Sequence, residues 1–557
     1  VSLPFHRGII KDRNGHILVT VRPSFNLYIT PEDTTNLKGT LKRLREIIPF
    51  DVKQIKEKIK ISQPFKNILI RADISREEVA LVEESKFRFP GIHINVHPLR
   101  NYIYKDLASH VLGYLGEITR EKLNGLRGSD YVMGDLIGKD GLEFIYESHL
   151  RGKKGFKEIE VDVSGRELKT LRRLFPKSGN QLVLTLDVRV QKVMEELMTG
   201  TPDRPMNGSA IVMNLKTGEI IAAVSKPSFD PNLFAAGISR KNWQKLIFDE
   251  EHPLQNKVVD GQYPPGSTYK IVPALAALEE KIITPDETIH CPGYFKLGKR
   301  KYRCWKKKGH GSMNVYDALV QSCDVFFYTV GHRLGIDTLA RYARKLGLGD
   351  FTKVNLTGEK PGLAPDKKWK LKTKKEPWFP GETISASIGQ GFNLVTPIQQ
   401  VNLISTIAGN GTQVQPFVVK RIEDHEGRVL KVFSKIIVKK VDVKPENLAL
   451  IQKALLGVVN DLRGTGRRAR LQKVEVAGKT GTAQVVGMKP GARPDKNAEV
   501  PYMFRDHAWF ISYAPYKDPE IAVAVIIEHG GHGGHTAAPI AKKLIQAYDK
   551  YYKLSES

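Results

Sequence analysis

The order of apolar and polar residues predicts short elements of mixed type in the first third of the chain. Residues 7–13 and 17–20 are typical of two strands, and Asn14-Gly15 between them is a hairpin-turn dipeptide. Residues 33–60 are rich in Lys and Glu at helical spacing. Ser75 followed by Glu78 predicts the capped start of a helix over 75–86, and Gly138 opens a shorter helix that ends near Leu150.

The remainder of the chain alternates longer apolar strands with amphipathic helices. A polar breaker at 176–180 separates the two parts, so we predict domains at 1–180 and 181–557. In the second domain, strands lie at both ends of the segment and helices between them, which indicates an α+β sandwich with a mostly antiparallel sheet. The predicted strands are 181–186, 208–214, 219–226, 508–513 and 521–528, and the predicted helices 188–198, 267–281 and 538–552.

Length and charge limit the possible classes of protein. A chain of 557 residues exceeds what one hydrophobic core usually holds. Lys and Arg outnumber Asp and Glu by 87 to 60, a net charge of +27, which favours an anionic neighbour such as a membrane and cell wall, with plain solubility as the alternative. No zinc-finger or RNA-recognition pattern is present, so we expect no nucleic-acid partner. No apolar stretch reaches the roughly 20 residues that span a bilayer.

The strongest chemical signal begins at Ser267-Thr268-Tyr269-Lys270. No other Ser in the chain has a Lys three positions later. Residues i and i+3 share one face of a helix, so an amine can lie near the hydroxyl and accept its proton when burial keeps it neutral. A helix start followed by an unrelated surface Lys would give the same four residues, so this motif does not decide the chemistry by itself.

Two downstream motifs complete a known set. Ser322-Cys323-Asp324 and Lys479-Thr480-Gly481-Thr482 follow in the order that S-x-x-K, S-D-N and K-T-G have in penicillin-binding proteins and class A β-lactamases. The second motif would place a hydroxyl and a polar side chain over the Ser–Lys pair. The third, on an edge strand, would offer a cation for a carboxylate and backbone N–H groups for an acyl oxygen. An earlier Lys-Thr-Gly at 216–218 reads as a hairpin turn, and Lys473 stands where a nucleotide-binding loop ending at 478–480 needs Gly.

The only three cysteines of the chain precede or lie within the second motif. Cys291, Cys304, His310 and Cys323 follow a C-x12-C-x5-H-x12-C spacing, and three thiolates with one imidazole suit a structural, tetrahedral zinc site. Buried thiols, or one disulfide with a spare cysteine, are the alternatives, and His290 is a competing ligand.

Taken together, these motifs and several others resemble class B penicillin-binding proteins over nearly the whole chain. Residues 7–15 are similar to the strand that opens the pedestal domain of that family, and 110–114 and 141–143 to further pedestal motifs. Residues 389–391 with 396–397 match the run before the third motif. Within the class, 322–324, Trp305 and 309–311 are most similar to the penicillin-binding protein 2 group of the rod-elongation machinery. The resemblance also implies a head subdomain at roughly 33–95 and a serine β-lactamase-like transpeptidase domain.

The resemblance implies a D,D-transpeptidase that cross-links peptidoglycan stem peptides without a catalytic cofactor and is acylated by β-lactams. Ser267 would attack the penultimate D-Ala carbonyl, Lys270 would accept its proton, and Ser322 would pass a proton to the leaving group. The N–H groups of Ser267 and Thr482 would hold the oxyanion. Lys479, Thr480 and Thr482 would bind the terminal carboxylate, and Gly481 would allow close approach of the strand.

One position departs from the commoner family pattern. Asp324 stands where most members have Asn. A carboxylate near Lys270 favours the protonated amine, so either Lys479 offsets this charge or Asp324 pairs with Lys270 only in the resting state. Our hypothesis is that Asp324 and Lys270 titrate as a coupled pair.

The family also implies a setting for the enzyme. We expect an inner-membrane anchor upstream of Val1, a catalytic domain in the periplasm, lipid-linked precursor strands as substrates, and a RodA-type glycosyltransferase and elongation scaffold as partners. A β-lactamase, a D,D-carboxypeptidase and a non-catalytic β-lactam sensor are the rival functions. The absence of an obvious deacylation Glu argues against the first, and the lack of a signalling region against the last.

Overall fold

The computed structural model describes residues 2–126, 129–161, 163, 167–201, 204–485 and 501–554. Within these ranges, no helix is both long and apolar enough to cross a bilayer.

The described part of the chain before residue 180 is built of strands and short helices. The Asn14-Gly15 turn is present, with Gly15 at φ +90°, and Ser75 and Glu78 form the predicted capping box. The strands are β1 (Ser2–Leu3), β2 (Ile10–Lys11), β3 (Ile17–Ile29), β4 (Ile68–Ile74), β5 (Ile92–Tyr102), β6 (Leu115–Glu117), β7 (Leu136–Gly138), β8 (Gly155–Val161) and β9 (Glu167–Leu174). The helices are α1 (Leu37–Ile47), α2 (Val52–Ile61), α3 (Arg76–Glu84), α4 (Ser109–Leu112), α5 (Arg120–Gly125), α6 (Gly141–Ile145) and α7 (Glu147–Leu150).

The second part of the chain contains the larger core. Its strands are β10 (Gln181–Leu184), β11 (Gly200–Thr201), β12 (Arg204–Pro205), β13 (Gly208–Asn214), β14 (Ile220–Lys226), β15 (Ile289–Cys291), β16 (Tyr294–Leu297), β17 (Arg300–Arg303), β18 (Gly311–Met313), β19 (Thr412–Val414), β20 (Val419–Glu423), β21 (Val429–Val432), β22 (Ile437–Lys440), β23 (Ala477–Ala483), β24 (His507–Ala514) and β25 (Ile521–Ile527). Its helices are α8 (Val188–Leu197), α9 (Asn232–Ala235), α10 (Arg240–Ile247), α11 (Ile271–Glu279), α12 (Val315–Val320), α13 (Asp324–Leu334), α14 (Ile336–Lys345), α15 (Lys367–Lys374), α16 (Pro380–Ala386), α17 (Pro397–Ala408), α18 (Pro445–Asn460) and α19 (Ala537–Tyr552).

A five-stranded antiparallel sheet in the order β14-β13-β25-β24-β23 is the centre of this part. Helix α17, which is buried throughout, covers one face, and α8 and α19 pack on the other. Both faces are covered, so β25 is buried at every position and reads as a continuous apolar run. This arrangement confirms the predicted two-part α+β fold and its antiparallel sheet. The strand β23, which carries the third motif, lies at the edge of the sheet.

A second sheet crosses the predicted domain boundary. β10 pairs in parallel with β2 and antiparallel with β20, so strands from both parts of the chain share one set of hydrogen bonds. The boundary at 180 therefore stays a prediction based on composition.

Several predicted elements are wrong in detail. The strand expected over 7–13 covers only Ile10–Lys11. Gly138, expected to open the helix that ends near Leu150, lies in β7, and two short helices, α6 and α7, follow it. The helix expected over 267–281 begins as a 3-10 turn at Gly266–Lys270 and becomes α-helical only from Ile271 to Glu279. Tertiary contacts at Gly266, described below, hold the tighter turn.

Candidate active site

The predicted nucleophile lies on a turn that is held from two sides. Gly266 has φ +54°, and a Cβ there would lie 2.4 Å from the carbonyl oxygen of Thr482. Its N–H donates to the carbonyl of Gly389, at 3.0 Å. Because only glycine fits this conformation and this space, the turn can press directly against β23 and leave Ser267 partly exposed.

Lys270 is fully buried and points into the second motif. Its Nζ donates to the carbonyl of Ser322 at 2.9 Å, to Ser322 Oγ at 3.2 Å and to Asp324 Oδ1 at 2.6 Å. Among the described residues, Ser267 is not one of its hydrogen-bond partners. Apo enzymes often hold catalytic groups slightly apart, and substrate brings them into contact.

Ser322 lies between two lysines. Its Oγ accepts from Lys270 Nζ at 3.2 Å and from Lys479 Nζ at 3.0 Å. The residue has φ +55°, a left-handed conformation that costs a non-glycine residue about 1–2 kcal/mol. The Ser322 hydroxyl therefore links the first motif to the third. It is held there by a backbone conformation that lowers the stability of the fold.

The third motif supplies a buried amine and a polar strand edge. Burial holds the pKa of Lys479 well below its ordinary value, and the positive charge of Lys270 acts in the same direction while Asp324 opposes it. Thr480 Oγ1 lies 2.8 Å from Thr465 Oγ1, and Thr482 is partly exposed. A Cβ at Gly481 would lie 2.9 Å from three neighbouring atoms, two of them in the 265–268 turn, so a side chain here would clash with that turn.

Trp305 is a contact of the second motif that the sequence reasoning missed. Its backbone N–H donates to Asp324 Oδ2 at 2.9 Å, and its indole N–H donates to the carbonyl of Ser322 at 3.0 Å. Asp324 thus binds Lys270 through one oxygen and Trp305 through the other. The available signal was the position of Trp305 directly after Cys304, in the segment that leads to this motif.

The four predicted metal ligands come together. The Sγ atoms of Cys291, Cys304 and Cys323 and a ring nitrogen of His310 all lie within 4.8 Å of one another. All three thiols are buried and none forms a disulfide within the described residues, and His310 Nδ1 lies 3.5 Å from Cys304 Sγ. The contact between Cys304 and Cys323 lowers the pKa of the first thiol and raises that of the second, which favours one thiolate in the cluster.

His290, the competing ligand, is exposed between two buried neighbours on β15. Successive side chains of a strand point to opposite faces, so His290 lies on the face away from Cys291. Cys323 stands between Ser322 and Asp324 in the chain, so the cluster and the second motif share one segment.

Comparison with known proteins gives two family matches that together cover most of the chain. The Penicillin binding protein transpeptidase domain matches residues 208–546, and the Penicillin-binding Protein dimerisation domain matches residues 2–184.

Individual relatives align with nearly the whole of this chain and with at least four-fifths of their own length. The Peptidoglycan D,D-transpeptidase MrdA of Haemophilus influenzae is 35% identical over 98% of this chain and 85% of its own. The MrdA of Acinetobacter baumannii is 37% identical over 97% and 80%. Among solved structures, the complex between PBP2 and MreC from Helicobacter pylori is 31% identical, with a TM-score of 0.82 and 99% of both chains covered.

Proposed function

The chain belongs to the class B penicillin-binding proteins of the penicillin-binding protein 2 type and is a peptidoglycan D,D-transpeptidase, and we propose that Ser267 is its nucleophile. The observation that carries this assignment is the position of Ser322 Oγ, which hydrogen-bonds to both Lys270 and Lys479. Three motifs that are distant in sequence therefore meet beside the turn that carries Ser267.

Acylation proceeds with the following roles. Ser267 Oγ attacks the penultimate D-Ala carbonyl and gives its proton to Lys270, while the N–H groups of Ser267 and Thr482 hold the oxyanion. The C–N bond then breaks, and terminal D-Ala leaves as an amine with a proton delivered through Ser322. The hydroxyls of Thr480 and Thr482, with the buried amine of Lys479 close by, hold the terminal carboxylate. Asp324 orients the amine of Lys270.

The acyl-enzyme is resolved by an amine of a neighbouring stem. That amine attacks the ester carbonyl and forms a new amide as the C–O bond to Ser267 breaks, and the proton lost by the amine returns to Ser267 Oγ. No cofactor is needed for either step. In a β-lactamase or carboxypeptidase, water would take the place of the amine.

Intact-mass analysis after benzylpenicillin treatment tests the nucleophile. We expect a mass increase of one penicillin, located by peptide mapping at Ser267 and absent in Ser267→Ala. Slow loss of the adduct would separate the enzyme from a β-lactamase. Cross-linking of supplied wall strands, rather than release of D-Ala alone, would separate it from a carboxypeptidase and from a β-lactam sensor. An unchanged mass would contradict the assignment.

We also propose that Cys291, Cys304, His310 and Cys323 hold a structural zinc ion. The donor set fits, because three thiol sulfurs and one imidazole nitrogen converge within 4.8 Å of one another. Zinc would tie β15 and the 304–310 segment to Cys323 and thereby fix the Ser322–Asp324 segment. Metal analysis of protein purified without chelator should give one equivalent, and a content of less than about a tenth would defeat the proposal.

For the cellular setting, we propose an N-terminal inner-membrane anchor, a periplasmic catalytic domain, lipid-linked precursor strands as substrates, and assembly with a RodA-type glycosyltransferase and an elongation scaffold. A groove of about 850 Å³ in the first part of the chain suits the scaffold, since it is lined by four apolar side chains that are 46% to 69% exposed, namely Phe144, Phe156, Leu174 and Phe175. PBP2 from H. pylori, which is similar to this chain, has been solved in complex with MreC. Phe156→Glu should weaken scaffold binding and leave penicillin acylation unchanged.

A further inference from the structure

The segment beside the second motif carries an unusual concentration of positive charge. We call residues 294–308 the basic hairpin; it comprises β16, β17 and the turn that follows. There is no Asp or Glu from 288 to 316, and the hairpin holds eight exposed cations: Lys296, Lys299, Arg300, Lys301, Arg303, Lys306, Lys307 and Lys308. Among the residues that the structure describes, none of the eight forms an ion pair. This charge is therefore available to an external anion.

The basic hairpin is a fixed platform. β16 and β17 pair from Tyr294 with Arg303 to Leu297 with Arg300, and the hydroxyl of Tyr328 donates to the carbonyl of Arg303 at 3.2 Å. The N–H of Cys304 donates to the carbonyl of Gly293 at 2.8 Å. Because these hydrogen bonds hold the backbone of the hairpin, the Cα positions of its cations are already fixed before an anion binds.

The platform is joined directly to the catalytic groups. Trp305, within the basic hairpin, donates to Asp324 and to the carbonyl of Ser322. The Asp324 carboxylate is already paired with Lys270, so it does not neutralise the hairpin cations. On another side, the Tyr302 hydroxyl lies 3.5 Å from the carbonyl of Gly381, at the start of α16.

We propose that the basic hairpin is a substrate-binding surface that holds the carboxylates of neighbouring stem peptides while one stem occupies the catalytic cleft. This inference rests on the proposed function, because uncross-linked stems end in a carboxylate and a strand with many stems is a polyanion. Charges exposed to water act over about 8 Å at physiological salt, so cations beside the cleft attract the strand that is being cross-linked rather than distant ones.

The test measures binding of fluorescent, soluble, uncross-linked wall strands to the full chain carrying Ser267→Ala, which prevents turnover. The hairpin variant combines Lys296→Gln, Lys299→Gln, Arg300→Gln and Lys301→Gln. The control replaces four exposed lysines of α2 by Gln, namely Lys53, Lys56, Lys58 and Lys60. It removes the same amount of charge from the first part of the chain, outside the basic hairpin. We expect the hairpin variant to bind strands at least tenfold more weakly, and the control to bind within twofold of the parent.

Two further arms identify the anion. Strands whose stem carboxylates are esterified should bind equally weakly to the Ser267→Ala chain and to the hairpin variant made from it. Phosphatidylcholine vesicles with and without phosphatidylglycerol report on a lipid surface instead. If the hairpin variant loses vesicle binding but keeps strand binding, the platform serves a bilayer and the proposal is wrong. If the hairpin and α2 variants lose strand binding equally, the effect depends only on net charge, and the proposal is also wrong.

Penicillin acylation separates this inference from the function on which it depends. With Ser267 intact, the hairpin variant should be acylated within twofold of the wild-type rate, since penicillin does not reach along a strand. A tenfold slower acylation would assign the cations to support of Ser322 rather than to the strand. If the wild-type chain is not acylated at all, the proposed function fails, whatever the strands do.

Discussion

Lys270 Nζ lies 2.6 Å from Asp324 Oδ1, so the amine that would activate the nucleophile is held by a carboxylate at the position where an S-D-N motif has an amide. This ion pair is buried, so the amine that would receive the proton of Ser267 is already engaged by a carboxylate.

Asp324→Asn removes that charge and keeps an oxygen at nearly the same place. Because the two side chains are paired at 2.6 Å, we expect the pH–rate profile for penicillin acylation to change. Stopped-flow acylation across the pH range measures this change. An unchanged profile would show that Asp324 and Lys270 do not titrate together.

Trp305→Phe removes the indole N–H that binds the carbonyl of Ser322 and keeps the backbone N–H that binds Asp324. One hydrogen bond contributes about 1 kcal/mol, so we expect acylation to slow about fivefold. Trp243→Phe, at an exposed site on α10, provides the comparison and should acylate at the wild-type rate. Equal rates in the two variants would remove Trp305 from the support of the second motif.

The Tyr263–Glu528 contact should position the nucleophile turn. The Tyr263 hydroxyl donates to Glu528 Oε1 at 2.5 Å, Lys257 binds the other oxygen, and Tyr263 precedes Ser267 by four residues. At the opposite end of β25, Tyr548 donates to Glu520 at 2.7 Å in the same kind of bond. We expect Tyr263→Phe to slow the covalent step about tenfold with little change in the initial affinity for penicillin.

Tyr548→Phe is the matched control for that experiment. It should lower Tm as much as Tyr263→Phe does and leave acylation unchanged, because Tyr548 makes its bond far from the turn. If both variants acylate normally, the Tyr263 bond serves stability alone.

Removing zinc should affect both stability and rate. The cluster shares the Ser322–Asp324 segment, so we expect chelation to lower Tm and slow acylation, and added zinc to restore both. Restoration excludes damage by the chelator itself. Acylation at full rate after complete metal removal would show that the cluster does not hold the second motif in place.

A pH-dependent contribution to stability arises in the first part of the chain. Glu143 is fully buried between Arg7 and Arg100, each with Nε 2.6 Å from one of its oxygens. Burial raises the pKa of Glu143, but the two guanidinium charges outweigh it and leave the pKa below its ordinary value of 4.5. This contribution is therefore complete above pH 4.5 and is lost as the pH falls through the lower folded-state value.

Glu143→Gln should destabilise the chain by about 3–5 kcal/mol near neutral pH, since it leaves two buried cations without their anion. Glu83→Gln breaks an exposed pair with Lys86 and should cost less than about 1 kcal/mol. Denaturant unfolding at several pH values measures both, and the difference between the two variants should shrink below pH 4.5.

The fold was largely predictable because its signals are local. Strands such as β13 and β25 are continuous apolar runs between turns, and their observed bounds lie within one residue of the predicted ones. The predicted site residues also converge, since three motifs in a fixed order carry more information than any one of them.

What the sequence could not reveal depends on contacts between distant residues. Tyr263 and Glu528 are 265 positions apart, and neither has a local pattern that pairs them. The 3-10 turn at Ser267 follows from the contacts of Gly266 with Gly389 and Thr482, and a helical pattern does not encode those contacts. The direction of Lys270 toward Asp324 depends likewise on how two helices pack.

The shared position of β10, between β2 and β20, has a practical consequence for expression of the catalytic part alone. A fragment starting at residue 181 would lose β2 and leave one side of β10 with unpaired backbone N–H and C=O groups. Such an edge can recruit a strand from another molecule and cause aggregation. A fragment that keeps residues 7–20 as a linked hairpin would keep that side closed and should remain monodisperse.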